Sequence, residues 1–360
     1  MRIRAVVSAL ESFAPSALQE GWDNTGFQVG SLGAECTGVL VCLDVSEAVI
    51  SEAVERGCNL VVSHHPLIFK GLKRIAGASV VERTVVAAIR AGVSVYSTHT
   101  SLDSTEGGIS YEMARMLGLR PAGVLAGKEG LDVRVTAYVP RELSEDVELA
   151  LLDSGAESAL TTDVSAARVV RAVAAGDLPE WSAEHEALRA VSVDVRRWEV
   201  RNAVDALNGL GLGRRLGVEI SALENQSGVY GLGVVARPAE GEELTMSEFA
   251  EHVKRVFGVK RLRISSGVSP DSPVRTVALC GGSGGEFIGR AVGCGADVYV
   301  TADIRYHDFA DYSGSICLMD VGHFESEICA KDIFYRVLTK KIPNFAVYKS
   351  ELEKNPVNYL

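Results

Sequence analysis

Four of the seven histidines stand directly behind stretches that read as β-strands. Ser63-His64-His65-Pro66 closes the run Leu60-Val61-Val62, and adjacent imidazoles projecting to opposite sides of a strand end can grip two metal ions or frame one. Thr98-His99-Thr100-Ser101-Leu102-Asp103 closes the run Val93 to Ser97 and brings a carboxylate four residues after an imidazole. Gly322-His323-Phe324-Glu325-Ser326-Glu327 closes the run Ile316 to Asp320, and His323 and Glu327, at i and i+4, face the same way if a helix begins there. Mixed imidazole and carboxylate donors suit Zn, Mn or Fe, and a carboxylate can bridge two such ions. A lone His at a strand end is usually a satisfied structural residue. Three clusters meeting at predicted sheet-edge positions favour a metal site instead.

Other motifs sit at similar positions. Thr301-Ala302-Asp303-Ile304-Arg305-Tyr306-His307-Asp308 ends a strand that begins at Ala296, so Asp303 and His307 are expected to face the same cleft, with His307 an acid or base or an orienter of a ligand. Gly281-Gly282-Ser283-Gly284-Gly285-Glu286 follows a strand and opens a helix, where bare N–H groups and the helix dipole can cradle an anion. It lacks the pattern of a P-loop or a GxGxxG turn, and its alternative is a tight turn packed closely against its surroundings. Beside a dication site, phosphate or another anionic group is the expected ligand of Gly282, Ser283, Gly284 and Gly285. Lys70, Lys73 and Arg74 add positive charge there or form a solvated face. His185 and His252 read as surface residues, and Trp22-Asp23-Asn24-Thr25-Gly26 as a turn.

The elements that carry these residues alternate. In the first part of the chain, strands at 38–43, 60–62 and 93–97 are separated by helices at 46–56 and 80–91, the first capped by Ser46 and the second closed by Gly92. Short connections of this kind imply parallel pairing through right-handed crossovers, which gathers the strand C-termini on one edge, where open α/β sheets bind ligands. The last part repeats the grammar with strands at 274–279, 296–301 and 316–320, a helix to Gly293 and a helix from Glu325 to about Leu338. Between them, strands at 133–139, 191–195 and 218–220 and helices at 145–152 and 200–210 form two strand-helix-strand halves, most simply a ferredoxin-like split βαβ domain. The expected divisions are residues 1–128 and 241–360 for two α/β lobes carrying the metal ligands, and 129–240 for an inserted α+β domain.

Composition sets the outer limits. A chain of 360 residues with 47% hydrophobic and 23% charged residues is an ordinary globular protein, neither disordered nor fibrous. Acidic residues outnumber basic ones 47 to 36, and a formal charge of −11 makes nucleic acid an unfavoured partner. The seven cysteines form no CxxC pair and lie mostly in apolar runs, which fits buried thiols in a reducing, cytoplasmic setting. Glu11 interrupts the apolar N-terminal run too early for a signal peptide, and no stretch is long enough to span a membrane.

Gly21-Trp22-Asp23-Asn24-Thr25-Gly26-Phe27-Gln28-Val29-Gly30, Ser63-His64-His65-Pro66-Leu67-Ile68-Phe69, His99-Thr100-Ser101-Leu102-Asp103, Gly281-Gly282-Ser283-Gly284 and Gly322-His323-Phe324-Glu325-Ser326-Glu327 together resemble the NIF-three-like dinuclear metal proteins, often labelled GTP cyclohydrolase I type-two homologues. The resemblance implies that His64, His65, Asp103, His323 and Glu327 hold two divalent metal ions per chain, with both carboxylates as bridges, and that His99 and His307 lie near them. It implies one NIF-three-like α/β domain of two lobes, interrupted by an insertion similar to the trimeric PII and CutA-type domains. It also implies a homohexameric ring with trimer contacts through that insertion. Thr25, Phe27, Ser101 and Ala302 depart from the family's usual Val, Leu, Asn and Gly, and none of these changes removes a ligand.

The leading functional expectation is a metal-dependent hydrolase of a small, anionic, nucleotide-like or phosphorylated substrate, with His99 or His307 shuttling protons. The alternative is a non-catalytic metal or metabolite sensor acting through the inserted domain. An adaptor for transcription or replication proteins is a third reading, which the negative charge disfavours.

Overall fold

The computed structural model describes residues 1–165, 187–213, 216–241 and 244–358. Contacts divide the chain into two compact units, one made of 1–127 with 228–360 and the other of 128–227. His185 lies outside the described residues.

The first unit begins with β1 (Gly26–Val29), β2 (Val39–Cys42), β3 (Leu60–Ser63), β4 (Ser94–Ser97) and β5 (Arg120–Glu129). Every residue of β2, β3 and β4 is buried, as expected of short β-branched runs in a sheet covered on both faces. The crossover helix Glu47–Glu55 starts where the Ser46 side chain accepts from the Val49 amide, and the helix Val80–Ala91 starts on Ser79 and ends on Gly92 in the left-handed conformation.

The second unit contains β6 (Asp132–Pro140), β7 (Ala159–Ser165), β8 (Ala187–Arg196) and β9 (Gly217–Ala222), in the order β7-β8-β6-β9 with every pairing antiparallel. The helix Ser144–Asp153 joins β6 to β7 and Val200–Gly209 joins β8 to β9, which is the ferredoxin-like arrangement. Val135, Ala137, Val139, Val147, Leu151 and Leu207 belong to a core of its own.

The first unit resumes with β10 (Gln226–Arg237), β11 (Leu244–Thr245), β12 (Arg263–Ile264), β13 (Pro273–Val274), β14 (Val277–Ser283), β15 (Val298–Ala302), β16 (Cys317–Asp320) and β17 (Val347–Lys349). Its two main sheets have the orders β1-β4-β3-β2-β17 and β12-β16-β15-β14-β10-β5. β17, β2, β3 and β4 pair in parallel, as do β14, β15 and β16. Val39, Val41 and Val62 from one sheet share a core with Val277, Val298 and Met319 from the other, so the expected lobes are parts of one body. No helix among the described residues is long and apolar enough to cross a membrane.

Three local differences from the sequence reading have physical causes. The Gly-rich segment is not a turn opening a helix: β14 runs through Gly281, Gly282 and Ser283 with a register shift, and a 3-10 turn (Gly285–Phe287) precedes the six-residue helix Ile288–Gly293. The long helix expected from Glu325 is two helices, His323–Glu327 and Ala330–Lys341. The second unit ends at Ser227 rather than at 240, because β10 pairs with β14 through Val234, Val235 and Ala236.

Candidate metal centre

The parallel order places the C-terminal ends of β2, β3 and β4 side by side, and with them Asp44, His64, His65 and His99. Asp103 ends the short helix Thr100–Asp103 that follows β4. The second sheet delivers Asp303 after β15 and, after β16, the helix His323–Glu327, which begins at His323 and so puts His323 and Glu327 on one face. Gly322 makes that entry possible with φ +89°. Asp303 adopts φ +54°, a left-handed conformation that Asp tolerates better than most residues, and its carboxylate reaches His323.

Three overlapping sets of donor atoms result: His64 with His65 and His99, His65 with His323 and Glu327, and His64 with Asp103 and Glu327. Within each set the atoms lie within 4.8 Å of one another. Glu327 is the hub, with Oε2 at 2.9 Å from Nε2 of both His65 and His323 and Oε1 at 3.7 Å from His64 Nε2. His64 Nε2 also stands 3.6 Å from Asp103 Oδ1, too far for a hydrogen bond. Donors each about 2.0–2.2 Å from one ion would stand at most ~4.4 Å apart, so these separations suit convergence on a cation.

All four imidazoles are held by Nδ1. His65 bonds Asp44 Oδ1 at 2.8 Å, His99 bonds Asp23 Oδ1 at 2.8 Å, His323 bonds Asp303 Oδ2 at 2.7 Å, and His64 donates to the Thr98 carbonyl at 3.2 Å. Such anchors fix ring orientation and leave Nε2 as the ligating atom, the arrangement found behind metal-bound histidines. Asp23 and Asp44 were not singled out in the sequence as functional. Asp44 follows a strand just as His64 does, which was a usable signal, whereas Asp23 was hidden in a turn motif that accounts for it by composition alone.

Charge in the site is balanced by protons where cations would sit. Burial, then the neighbouring Glu327, pushes the Asp103 carboxyl well above the usual range. Burial would raise Glu327 too, but His323 and His65, each 2.9 Å away, with His64 nearby, hold it well below that range. His323 rises to about 9 through its bond to Glu327, and His65 to about 10, its burial outweighed by Asp44 and Glu327. His64, fully enclosed, is pushed down to about 4 by burial. Among the described residues, the buried atoms His64 Nε2 and Asp103 Oδ1 have no hydrogen-bond partner. Unpaired buried polar atoms are costly, so a lone pair on each aimed at the same small space fits a bound cation.

The structure therefore gathers His64, His65, His99, Asp103, His323 and Glu327, but not His307 or the glycines. His307 is exposed on the helix Tyr306–Asp311, beside the Tyr306 ring at 5.4 Å, and belongs to none of the donor sets. The Gly282 amide donates to Ser326 Oγ and the Gly284 amide to Thr301 Oγ1, both at 3.0 Å, so neither is free to cradle an anion. A Cβ on Gly282 would fall 2.1 Å from Glu327 Oε1, and one on Gly281 2.3 Å from Ile109 Cγ2. Close packing beneath Glu327 is thus the role of this segment, the alternative the sequence left open. Ser283 is exposed, and Gly285 lies beside the Asp308 carboxylate. His252 is half-buried rather than a free surface residue, with Nε2 bonded to the Leu117 carbonyl at 3.1 Å. Lys70, Lys73 and Arg74 are exposed.

Fold and site together define an α/β protein with a cluster of histidines and carboxylates at the C-terminal ends of parallel strands, suited to binding metal. The chain matches the family described as Duf34/NIF3 (NGG1p interacting factor 3) over residues 1–356 and belongs to it. It is 29% identical over 375 residues to a Bacillus subtilis protein named GTP cyclohydrolase 1 type 2 homolog, covering 99% of this chain and 98% of that protein. A Staphylococcus epidermidis protein of the same name is 27% identical over 379 residues, covering all of both chains. Among solved structures, a Bacillus cereus protein related to NIF3 superposes with a TM-score of 0.82 at 28% identity, covering 100% of this chain and 99% of that one.

Proposed function

We propose that the protein is a dinuclear metal-dependent hydrolase of a small nucleotide-like or phosphorylated substrate. The observation that carries this reading is the pair of donor sets that share Glu327, one of which contains two buried atoms, His64 Nε2 and Asp103 Oδ1, with no hydrogen-bond partner among the described residues. His64, Asp103 and Glu327 would hold one ion and His65, His323 and Glu327 the other, with Zn, Mn or Fe as the candidates by donor type. When bound, such a pair supplies Lewis acidity and lowers the pKa of water toward neutrality.

The remaining groups have roles that follow from their placement. Asp44, Asp23 and Asp303 orient the imidazoles, and burial of Glu327 keeps bulk water from its side of the site. His99, whose ring lies 5.3 Å from that of His64 and 5.5 Å from that of His65, is the proton carrier of the proposal in place of His307, which belongs to none of the donor sets. The name of the curated relatives makes GTP the first substrate to try. A homohexamer assembled through the second unit belongs to the same proposal, with light scattering on the eluted protein as its check.

The test is elemental analysis of protein purified without chelator, with hydrolysis of GTP and generic phosphoesters by native, stripped and reloaded samples and by His64→Ala. About two metals per chain, with turnover that vanishes on stripping and returns on reloading, is the expected result. Metal without turnover of any of these substrates would defeat the hydrolase reading, and absence of metal would defeat the site.

A further inference from the structure

A cleft of about 600 Å3 opens against His65 and His323. That volume lies in the ~300–1,000 Å3 range of small-molecule sites. Its lining also takes in Lys260 and Arg261, which lie between the helix Met246–Phe257 and β12, Arg263 at the start of β12, and the C-terminal stretch around Asn355. Three basic residues within four positions run against the background of a chain whose formal charge is −11.

What matters is which charges in the lining are already committed. Asp44 is bonded to His65 and Asp303 to His323. Asp320 accepts from Arg263 Nη1 at 2.8 Å and from the amides of Ile304 and Gly322, and Glu325 accepts from Asn355 Nδ2 at 2.8 Å. Arg263 is itself pinned, with Nη2 donating to the Ile304 carbonyl at 2.7 Å and its guanidinium over the Phe309 ring. The four carboxylates of the lining thus all have partners. Among the described residues, by contrast, nothing engages the exposed Lys260 ammonium or Arg261 guanidinium. The uncommitted charge of the cleft is positive, and it shares with His65 and His323 a space of ligand size. Phosphoryl oxygens are the complement of such a pair, since guanidinium and ammonium donors bind them by charge-assisted hydrogen bonds.

We infer that Lys260 and Arg261 form the anchoring subsite for a phosphoryl group of the substrate, with Arg263 as its fixed floor, so that the rest of the substrate extends toward His65 and His323. This rests on the proposed reading of the neighbouring cluster as a substrate-handling metal centre. It also moves anion recognition from the glycines of β14, whose amides are occupied, to a segment on the opposite side of β16.

The experiment titrates inorganic phosphate into the full-length protein as purified, by calorimetry at low ionic strength, with metal content measured on the same samples. Lys260→Ala/Arg261→Ala is expected to keep the wild-type metal content and to bind phosphate about tenfold or more weakly, the loss of charge-assisted hydrogen bonds. The swap Lys260→Arg/Arg261→Lys is expected to retain binding, and Lys70→Ala/Lys73→Ala, which removes the same charge elsewhere, to leave it unchanged. Equal phosphate affinity in wild type and Lys260→Ala/Arg261→Ala would overturn the assignment, as would wild-type protein that binds no phosphate or an equal loss in the Lys70/Lys73 control. If wild-type protein carries no metal yet loses phosphate only with Lys260 and Arg261, the metal reading fails and the subsite stands.

Discussion

Removing the carboxylate behind His65 should separate metal binding from folding, because among the described residues the Asp44 carboxylate bonds only that ring. Its Oδ1 accepts from His65 Nδ1 at 2.8 Å, and its side chain is 51% exposed. An ion pair so open to water contributes about 0–1 kcal/mol to folding, and Asp44→Ala should cost no more than that. Loss of an orienting partner typically weakens a metal site by about 10–100-fold, equivalent to ~1.4–2.7 kcal/mol of binding free energy. Asp44→Asn should fall between, since an amide oxygen still accepts the Nδ1 proton but carries no charge. Competition with a chromophoric chelator reads the affinity, and calorimetric unfolding of metal-free protein reads the stability. Wild-type metal affinity in Asp44→Ala would refute the reasoning, as would a fall in metal-free stability as large as the fall in binding.

Three further perturbations test the frame around the site. Glu353, in the C-terminal segment after β17, has a side chain only 4% exposed, takes the Leu43 and Asp44 amides at 2.6 Å and pairs with Lys331 Nζ at 3.1 Å. Glu353→Ala should therefore destabilise by about 3–5 kcal/mol, the usual cost of stranding one member of a buried pair, and a loss below ~1 kcal/mol in denaturant unfolding would show the strap to be dispensable. For Glu52, burial alone would raise the carboxyl, but hydrogen bonds from Ser350 Oγ and the amides of Glu351 and Leu352, with Arg56 beside it, bring it below its ordinary value. A depressed folded-state pKa contributes stability above the unfolded value and loses it as pH falls through the folded one. Glu52→Gln should accordingly flatten the acid limb of the stability profile, and an unchanged acid limb would contradict this sign. Residues 128–227 expressed alone should unfold in one cooperative transition, because their apolar core is self-contained; a chain without ordered circular dichroism would show that core to be insufficient.

The donors were legible in the sequence for a topological reason. Parallel strands joined by short crossovers must end on one edge, so His64, His65 and His99 could be placed together before any contact was known, and the i, i+4 spacing of His323 and Glu327 fixed their common face. What failed was anything that depended on a specific neighbour. Gly282 has two physical uses after a strand, anion binding and close approach, and only the presence of Glu327 decides between them. Asp23 reads as a turn former, yet its carboxylate meets His99 and Thr100, 76 and 77 residues away, contacts that no local pattern encodes. β17 is three residues long and finds β2 across some three hundred positions, so its pairing lies in the tertiary fold alone.

The same contacts bear on whether a metal bound here would be structural or exchangeable. In a site that metal folds, the ligands have no other support, and removing the ion releases them. Here each imidazole has its own anchor: the Thr98 carbonyl, Asp44, Asp23 and Asp303 come from four separate segments and hold the four rings without reference to any ion. The frame beneath them is equally independent, since the Gly282 amide, Ser326 and the fully buried strands β3 and β15 set the position of Glu327 and its neighbours. A site preorganised to this degree keeps its shape while an ion leaves or a substrate displaces water, and it opens on a cleft rather than being closed by protein ligands. Those two properties suit an exchangeable metal better than a structural staple, and they support the hydrolysis proposed above.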